Sequence, residues 1–206
     1  MTRPRLLDTF CGAGGCSMGY HRAGFDVVGV DINPQPHYPF EFIQADALEF
    51  IAAHGHEYDV IHASPPCQAY SRATEWQGSR ANYPDLIADT RDALISTNRP
   101  YIIENVEDAR HLLHNPFMLC GSHFGLRVRR HRYFEAPTLD LQLTPACQHY
   151  STDYAHDHGN KQTEAQYRAA IGCDWMTTTE ARQAIPPAYT EWIGRKLLAK
   201  QEEGQE

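Results

Sequence analysis

Short apolar runs alternate with helix-period segments through the first two-thirds of the chain. Arg5–Phe10 reads as a strand, Gly15–Ala23 as a helix opened by a glycine turn, and Phe25–Asp31 as a valine-rich second strand. Phe40–Ala45 reads as a third strand, Ala47–His54 as a short helix and Tyr58–Ala63 as a fourth strand. Pro84–Thr97 is helical, with proline near its first turn, where the missing N–H costs nothing. Tyr101–Glu104 is the fifth strand. This alternation predicts an α/β fold: a doubly wound parallel sheet covered by helices on both faces. Beyond Phe134 the pattern weakens. Residues 136–181 are polar, rich in His, Thr, Gln and Asp, and only weakly periodic. Pro186–Lys200 is an amphipathic helix carrying Tyr189, Trp192, Ile193, Leu197 and Leu198, expected to pack back on the side of the first strand; Gln201–Glu206 should fray.

Composition narrows the class. The chain has 206 residues, 42% hydrophobic and 21% charged, enough for one domain with a core and a small appendage. No apolar run is long enough for a bilayer, and Met1-Thr2-Arg3-Pro4 leads directly into a strand, so a cytoplasmic, membrane-free and monomeric protein is expected. Six scattered cysteines with no CxxC pair suggest free thiols. The net charge of −8 argues against broad polyanion binding, yet Arg127-Val128-Arg129-Arg130-His131-Arg132 forms one dense basic stripe. Any nucleic-acid footprint is therefore local and salt-sensitive.

Candidate chemistry gathers where strands end. Asp8-Thr9-Phe10-Cys11-Gly12-Ala13-Gly14-Gly15 is a glycine-rich turn that lets a ligand approach the backbone. Asp31 ends the second strand near the spacing expected for gripping a ribose diol, and Asp46 follows the third. Ser17 replaces the last glycine of the dinucleotide fingerprint, which weakens a nicotinamide or flavin reading. After the fourth strand, Ser64-Pro65-Pro66-Cys67-Gln68-Ala69-Tyr70-Ser71 holds a cysteine on a loop stiffened by two prolines, a suitable mount for a thiolate nucleophile or for an inert thiol. Glu104 leaves an apolar fifth strand, where desolvation would favour a proton-donating acid; an edge carboxylate is the plainer reading. Arg127–Phe134 suits one strand with a basic face shared by Arg130 and Arg132, or a solvated surface stripe.

In this order and spacing, the segments resemble the C5-cytosine DNA methyltransferase family. The glycine segment is similar to its first motif, Ser64-Pro65-Pro66-Cys67-Gln68 to its nucleophile motif, Glu104-Asn105-Val106 to its Glu-Asn-Val motif and Arg130-His131-Arg132 to its Arg-x-Arg motif. Asn115–Gly125 resembles the stretch leading into that last motif, and the likeness covers roughly residues 4–135. The resemblance implies a Rossmann-like fold, S-adenosylmethionine as cofactor and double-stranded DNA as partner. It implies that Cys67 adds to C6 of a flipped cytosine while Glu104, Arg130 and Arg132 complete the catalytic set. Phe10 and Ile32 would contact the cofactor's adenine, Asp31 its ribose and Asp46 its amino group, with Gly12, Gly14, Gly15 and Pro66 completing the cofactor site. Ser64, Pro65, Gln68, Ser71 and Asn105 would surround the substrate.

Several features depart from the family pattern. Val128 stands where a glutamine precedes the arginines, Asp31 where glutamate is common, and Gln183–Tyr189 lacks the usual Gly-Asn start. Residues 1–135 are expected to form the catalytic domain, 136–182 a short recognition region too small for an independent domain, and 183–206 a helix returning to the catalytic domain. A very short target is the expected consequence, in a compact modification enzyme of the kind that suits a phage genome. The same chemistry on RNA or a free cytidine nucleotide is the first alternative, and a noncatalytic binding module the second. Cys147, His149, His156, His158 and Cys173 include zinc-ligand types, but their spacing is irregular and no metal is expected.

Overall fold

The computed structural model describes residues 2–66, 85–139, 145–149, 154–155 and 164–203. Five strands, β1 (Arg5–Thr9), β2 (Asp26–Asp31), β3 (Glu41–Gln44), β4 (Val60–Ala63) and β5 (Tyr101–Asn105), run parallel in the order β3-β2-β1-β4-β5. The buried apolar runs of β1, β2, β4 and β5 follow from cover on both faces, whereas the edge strand β3 is half-exposed. β6 (Phe117–Leu119), β7 (Val128–Arg129), β8 (Arg132–Glu135) and β9 (Tyr154–Ala155) follow in sequence. β8 inserts antiparallel between β5 and β6, while β7 and β9 form a separate pair.

Helices α1 (Gly15–Ala23) and α2 (Ala47–His54) match the expected boundaries, and α3 (Ile87–Ser96) lies inside the predicted Pro84–Thr97. Residue 84 falls outside the described residues. The polar stretch yields two short helices, α4 (Glu164–Ile171) and α5 (Thr178–Gln183), before the long α6 (Pro187–Glu203).

One core joins Leu6, Val27, Val60, Ile102 and Phe134 of the sheet to Tyr20 of α1 and to Tyr189, Ile193 and Leu197 of α6. On the opposite face Leu7, Val28, Ile61 and Ile103 meet Ile51 of α2 and Leu94 of α3. α1 and α6 touch backbone to backbone at Gly19, where an added Cβ would lie 2.1 Å from Pro187 O. A third cluster seats Tyr167, Ile171 and Ala181 against Ala13 and Val128, so the small helices lean on the sheet domain.

A buried ion pair braces the far end of β8. Arg91 grips Glu135 with two bonds, Nε to Oε1 at 2.9 Å and Nη2 to Oε2 at 2.7 Å, and His114 N–H adds a third at 2.8 Å. Burial alone would raise the Glu135 pKa, but the Arg91 fork and the His114 N–H more than offset it and hold the carboxyl below its usual value. Glu135 therefore contributes stability above the ordinary glutamate range, lost as pH falls through its depressed pKa. Arg91→Ala leaves an uncompensated buried carboxylate and should cost about 3–5 kcal/mol in urea unfolding at neutral pH. The variant's stability should also lose this acid-side decline; a cost below about 1 kcal/mol would contradict the assignment.

Candidate functional site

The parallel strands end at one edge, and chain order reverses between β1 and β4, the position where open α/β sheets bind ligands. Thr9, Asp31, Gln44, Ala63 and Asn105 are the last residues of β1 to β5. The residues that follow them line one rim.

On one side of the switch lies the glycine turn. Phe10, Gly12 and Gly14 have φ of 57°, 49° and 82°. A Cβ on Gly12 would meet nothing within 4 Å, so this is where the turn opens to a ligand. Gly14 and Gly15 serve packing: a Cβ would reach Tyr38 at 2.9 Å in the first case and Ile185 O at 2.6 Å in the second. Asp31 accepts from Gly12 N (3.1 Å) and Asn33 N (2.9 Å). Next to it the apolar side chain of Ile32 is 63% exposed. Asp46 caps α2 through Oδ1, accepting from Leu48 N and Glu49 N, and is otherwise exposed.

Ser17 has a specific task. Its hydroxyl donates to the buried Asp8 carboxyl and lies 2.8 Å from Tyr38 Oη. Burial pushes Asp8 up to about 7 against the Ser17 bond. Trp175, between the two small helices, donates Nε1 to Ala13 O of the glycine turn at 3.0 Å, and Glu180 of α5 meets His37 of the loop after β2 at 2.9 Å.

On the other side of the switch Glu104 is 6% exposed at the end of β5. Because β8 runs antiparallel with Asn105 opposite Tyr133, its first residue Arg132 arrives at the same rim. Arg132 Nε lies 2.9 Å from Glu104 Oε1, an ion-pair distance, but off the donor line, so Oε1 has no hydrogen bond among the described residues. Burial raises the Glu104 pKa; Arg132, Arg130 and a hydrogen bond from Ser64 oppose the rise without cancelling it. The arrangement favours a carboxyl that keeps its proton to higher pH than an ordinary glutamate.

The basic stripe differs from expectation. It forms two short strands interrupted at Arg130-His131, and the two arginines do not share an exposed face. Arg130 turns inward at 2% exposure, donates Nη2 to Arg182 O at 2.8 Å, and its own carbonyl accepts from Tyr189 Oη at 2.6 Å. Its Nε and Nη1 have no partner among the described residues. Arg129 remains exposed.

Asn105 is buried at 1% and donates Nδ2 to Pro65 O at 3.0 Å. It ties β5 to the proline loop instead of facing open space. Pro65 is buried, Ser64 and Pro66 are half-buried, and Cys67, Gln68 and Ser71 lie outside the described residues.

Sequence reasoning missed His62. It stands inside the apolar run Val60-Ile61-His62-Ala63, and a polar residue in a doubly buried strand is itself the signal. Tyr20 Oη lies 2.9 Å from His62 Nδ1, and His62 Nε2 3.0 Å from Ser64 Oγ, which in turn bonds Glu104. Burial holds His62 down to about 3, so the ring is neutral at pH 7 and offers one donor and one acceptor. The relay fixes Ser64 under the Glu104 carboxyl.

Comparison with known proteins follows the same motifs. The sequence model of the C-5 cytosine-specific DNA methylase family matches residues 4–118, more than half of the chain. Type II methyltransferase M.XorII of Xanthomonas oryzae pv. oryzae is 28% identical over 223 residues, covering 96% of this chain and 45% of that protein. Type II methyltransferase M.HgiGI of Herpetosiphon aurantiacus is 31% identical over 122 residues, covering 52% of this chain and 93% of that one. A prophage-encoded E. coli protein, described as a DNA modification methyltransferase, shares the fold with TM-score 0.50 and 23% identity, over 68% of this chain and 49% of that one. The chain thus spans about half the length of M.XorII and of the prophage protein.

Proposed function

Because the chain belongs to the C-5 cytosine-specific DNA methylase family, we propose that it transfers a methyl group from S-adenosylmethionine to C5 of cytosine in double-stranded DNA, with Cys67 as covalent nucleophile and Glu104 as its acidic partner. The observation that carries this reading is the convergence of Glu104, Arg132 and Ser64 beside the loop leading into Cys67, across the sheet switch from the open glycine turn.

The rim suits the cofactor. Exposed Ile32 offers a platform for a flat ring, Gly12 leaves room at the backbone, and Asp31 keeps acceptor capacity for a diol after its two N–H bonds. Phe10, Ile32, Asp31 and Asp46 would hold S-adenosylmethionine, which when bound supplies an electrophilic methyl group. The target base leaves the stack, as bases modified inside duplexes must. The Cys67 thiolate adds to C6, turning an unreactive C5 into a nucleophile. Glu104 donates to N3, stabilising charge as the thiolate adds, and Arg132 holds O2 with Arg130 behind it. After methylation, loss of the C5 proton and elimination release Cys67.

Residues 136–182 are the proposed recognition region. Each base read needs well-placed contacts, so a short segment reads a short target. Exposed Arg129 supplies a phosphate contact. Arg129→Ala should lower the slope of log K against log salt by about 0.9, measured by anisotropy with a labelled duplex. An unchanged slope would remove Arg129 from the interface.

The function is tested by incubating the protein with tritiated S-adenosylmethionine and duplex DNA, beside RNA and dCMP, with Cys67→Ala as control. Label entering DNA and vanishing in the variant is expected. Label confined to RNA or dCMP would overturn the substrate and keep the chemistry.

A further inference from the structure

Four side chains from three separate segments converge outside the proposed catalytic site. Cys120 follows β6 and caps the 3₁₀ turn Gly121–Phe124; His131 lies between β7 and β8; Cys147 and His149 come from residues 145–149. One ligand atom from each lies within 4.8 Å of every other. The His131 and His149 Nε2 atoms are 3.2 Å apart, Cys120 Sγ is 3.2 Å from His149 Nε2, and Cys147 Sγ is 3.5 Å from His131 Nε2. A tetrahedron of zinc bond lengths has edges of about 3.3 Å between nitrogens and about 3.6 Å between nitrogen and sulfur. The observed edges come within a few tenths of an ångström of these values.

We propose that Cys120, His131, Cys147 and His149 bind one zinc ion in a closed, structural Cys₂His₂ site.

The surroundings fit a thiolate-imidazole centre. Cys120 Sγ accepts the backbone N–H of His123. Gly121 lets this corner press on β7, since a Cβ there would meet Val128 O at 2.1 Å. The far ring nitrogen of His131, Nδ1, faces Glu107 Oε2 at 3.8 Å, a carboxylate placed behind a ligand histidine as in many zinc sites. Four protein ligands leave no open position, which makes the ion structural.

The segment needs such an anchor. Among the described residues none of 145–149 belongs to an apolar core, and outside the cluster Gln148 N donates to Ser122 Oγ of the adjoining 3₁₀ turn at 3.1 Å. A metal supplies the ordering energy that a segment without a core lacks. His131 lies between Arg130 and Arg132, so the ion would pin the start of the recognition region to the connection carrying both arginines. Only that last consequence rests on the proposed function.

The proposed ligand set shares Cys147 and His149 with the one weighed in sequence and takes Cys120 and His131 in place of the others. Cys173 is buried in a separate cluster with Tyr167 and Met176, and His156 and His158 lie outside the described residues.

The test uses untagged full-length protein and reads metal directly. Elemental analysis should find one zinc per chain, and His149→Ala and Cys147→Ser should each lose it, with circular dichroism confirming that the sheet remains folded. Exchange with cobalt(II) should give the intense visible bands of a tetrahedral centre and a near-ultraviolet thiolate band, weakened in Cys147→Ser. Zinc at background together with no tetrahedral cobalt spectrum would overturn the site, as would a Cys120–Cys147 disulfide found by mass spectrometry. None of these readouts depends on methyl transfer, so the site and the enzymatic reading can fail separately.

Discussion

Cys67→Ala is expected to abolish methyl transfer, with a loss on the order of 10⁴ or more, as when a covalent nucleophile is taken from a catalytic unit. The size of the effect follows from the ring. C5 of cytosine becomes nucleophilic only after C6 is saturated. Cys11, Cys16, Cys120 and Cys173 are buried, and half-buried Cys147 lies in the separate cluster with Cys120, His131 and His149, so none of them is placed to replace Cys67. Burial also pushes the Cys11 thiol far up and Cys173 up to about 12, so neither forms a thiolate at neutral pH. S-Adenosylmethionine binding should survive, because Phe10, Asp31, Ile32 and Asp46 lie at or just beyond the ends of β1 to β3, away from residue 67 in sequence. Transfer in Cys67→Ala within tenfold of the unaltered protein would remove the nucleophile assignment.

Glu104→Gln ranks second, with an expected loss on the order of 10²–10⁴ in kcat. Glutamine keeps the shape and can donate to an acceptor, but it cannot give up a proton. The pH profile separates this role from a merely structural one. Because burial raises the Glu104 pKa, the unaltered protein holds the acid form to higher pH than ordinary glutamate and loses rate as pH rises through that value. In Glu104→Gln the alkaline decline should disappear. An alkaline limb that persists unchanged in the variant would assign it to another group. The amide needs no charge desolvated, so the variant should fold.

The sheet was legible because parallel strands buried on both faces read as plain apolar runs, and α1 and α2 fall where periodicity places them. The rim was legible because the glycine turn, Asp46 and the proline loop each follow a strand, and Asp31 and Glu104 lie at or near the ends of two others. The Arg stripe was misread as one strand: alternation puts Arg130 and Arg132 on one face, but Tyr189 fastens to the Arg130 carbonyl and the chain breaks there. α4 and α5 escaped notice because helices of eight and six residues bury only a few side chains each, too few to show a period. One signal was available: Thr177 and Glu180 form a capping box, a helix start readable from Thr-x-x-Glu. Asn105 reads as a substrate contact by motif, yet its bond to Pro65 makes it a brace, which only coordinates reveal. The Cys₂His₂ cluster joins segments with no common period, so spacing could not announce it.

Covalent attack by Cys67 is open to trapping. Duplex DNA carrying 5-fluorocytosine blocks the final elimination, because no proton remains at C5 after methyl transfer. With S-adenosylmethionine present, mass spectrometry should find a complex equal to protein plus oligonucleotide plus one methyl group, joined at Cys67 and absent from Cys67→Ala. Methyl transfer to unmodified cytosine without any trapped complex on the fluorinated duplex would contradict the account.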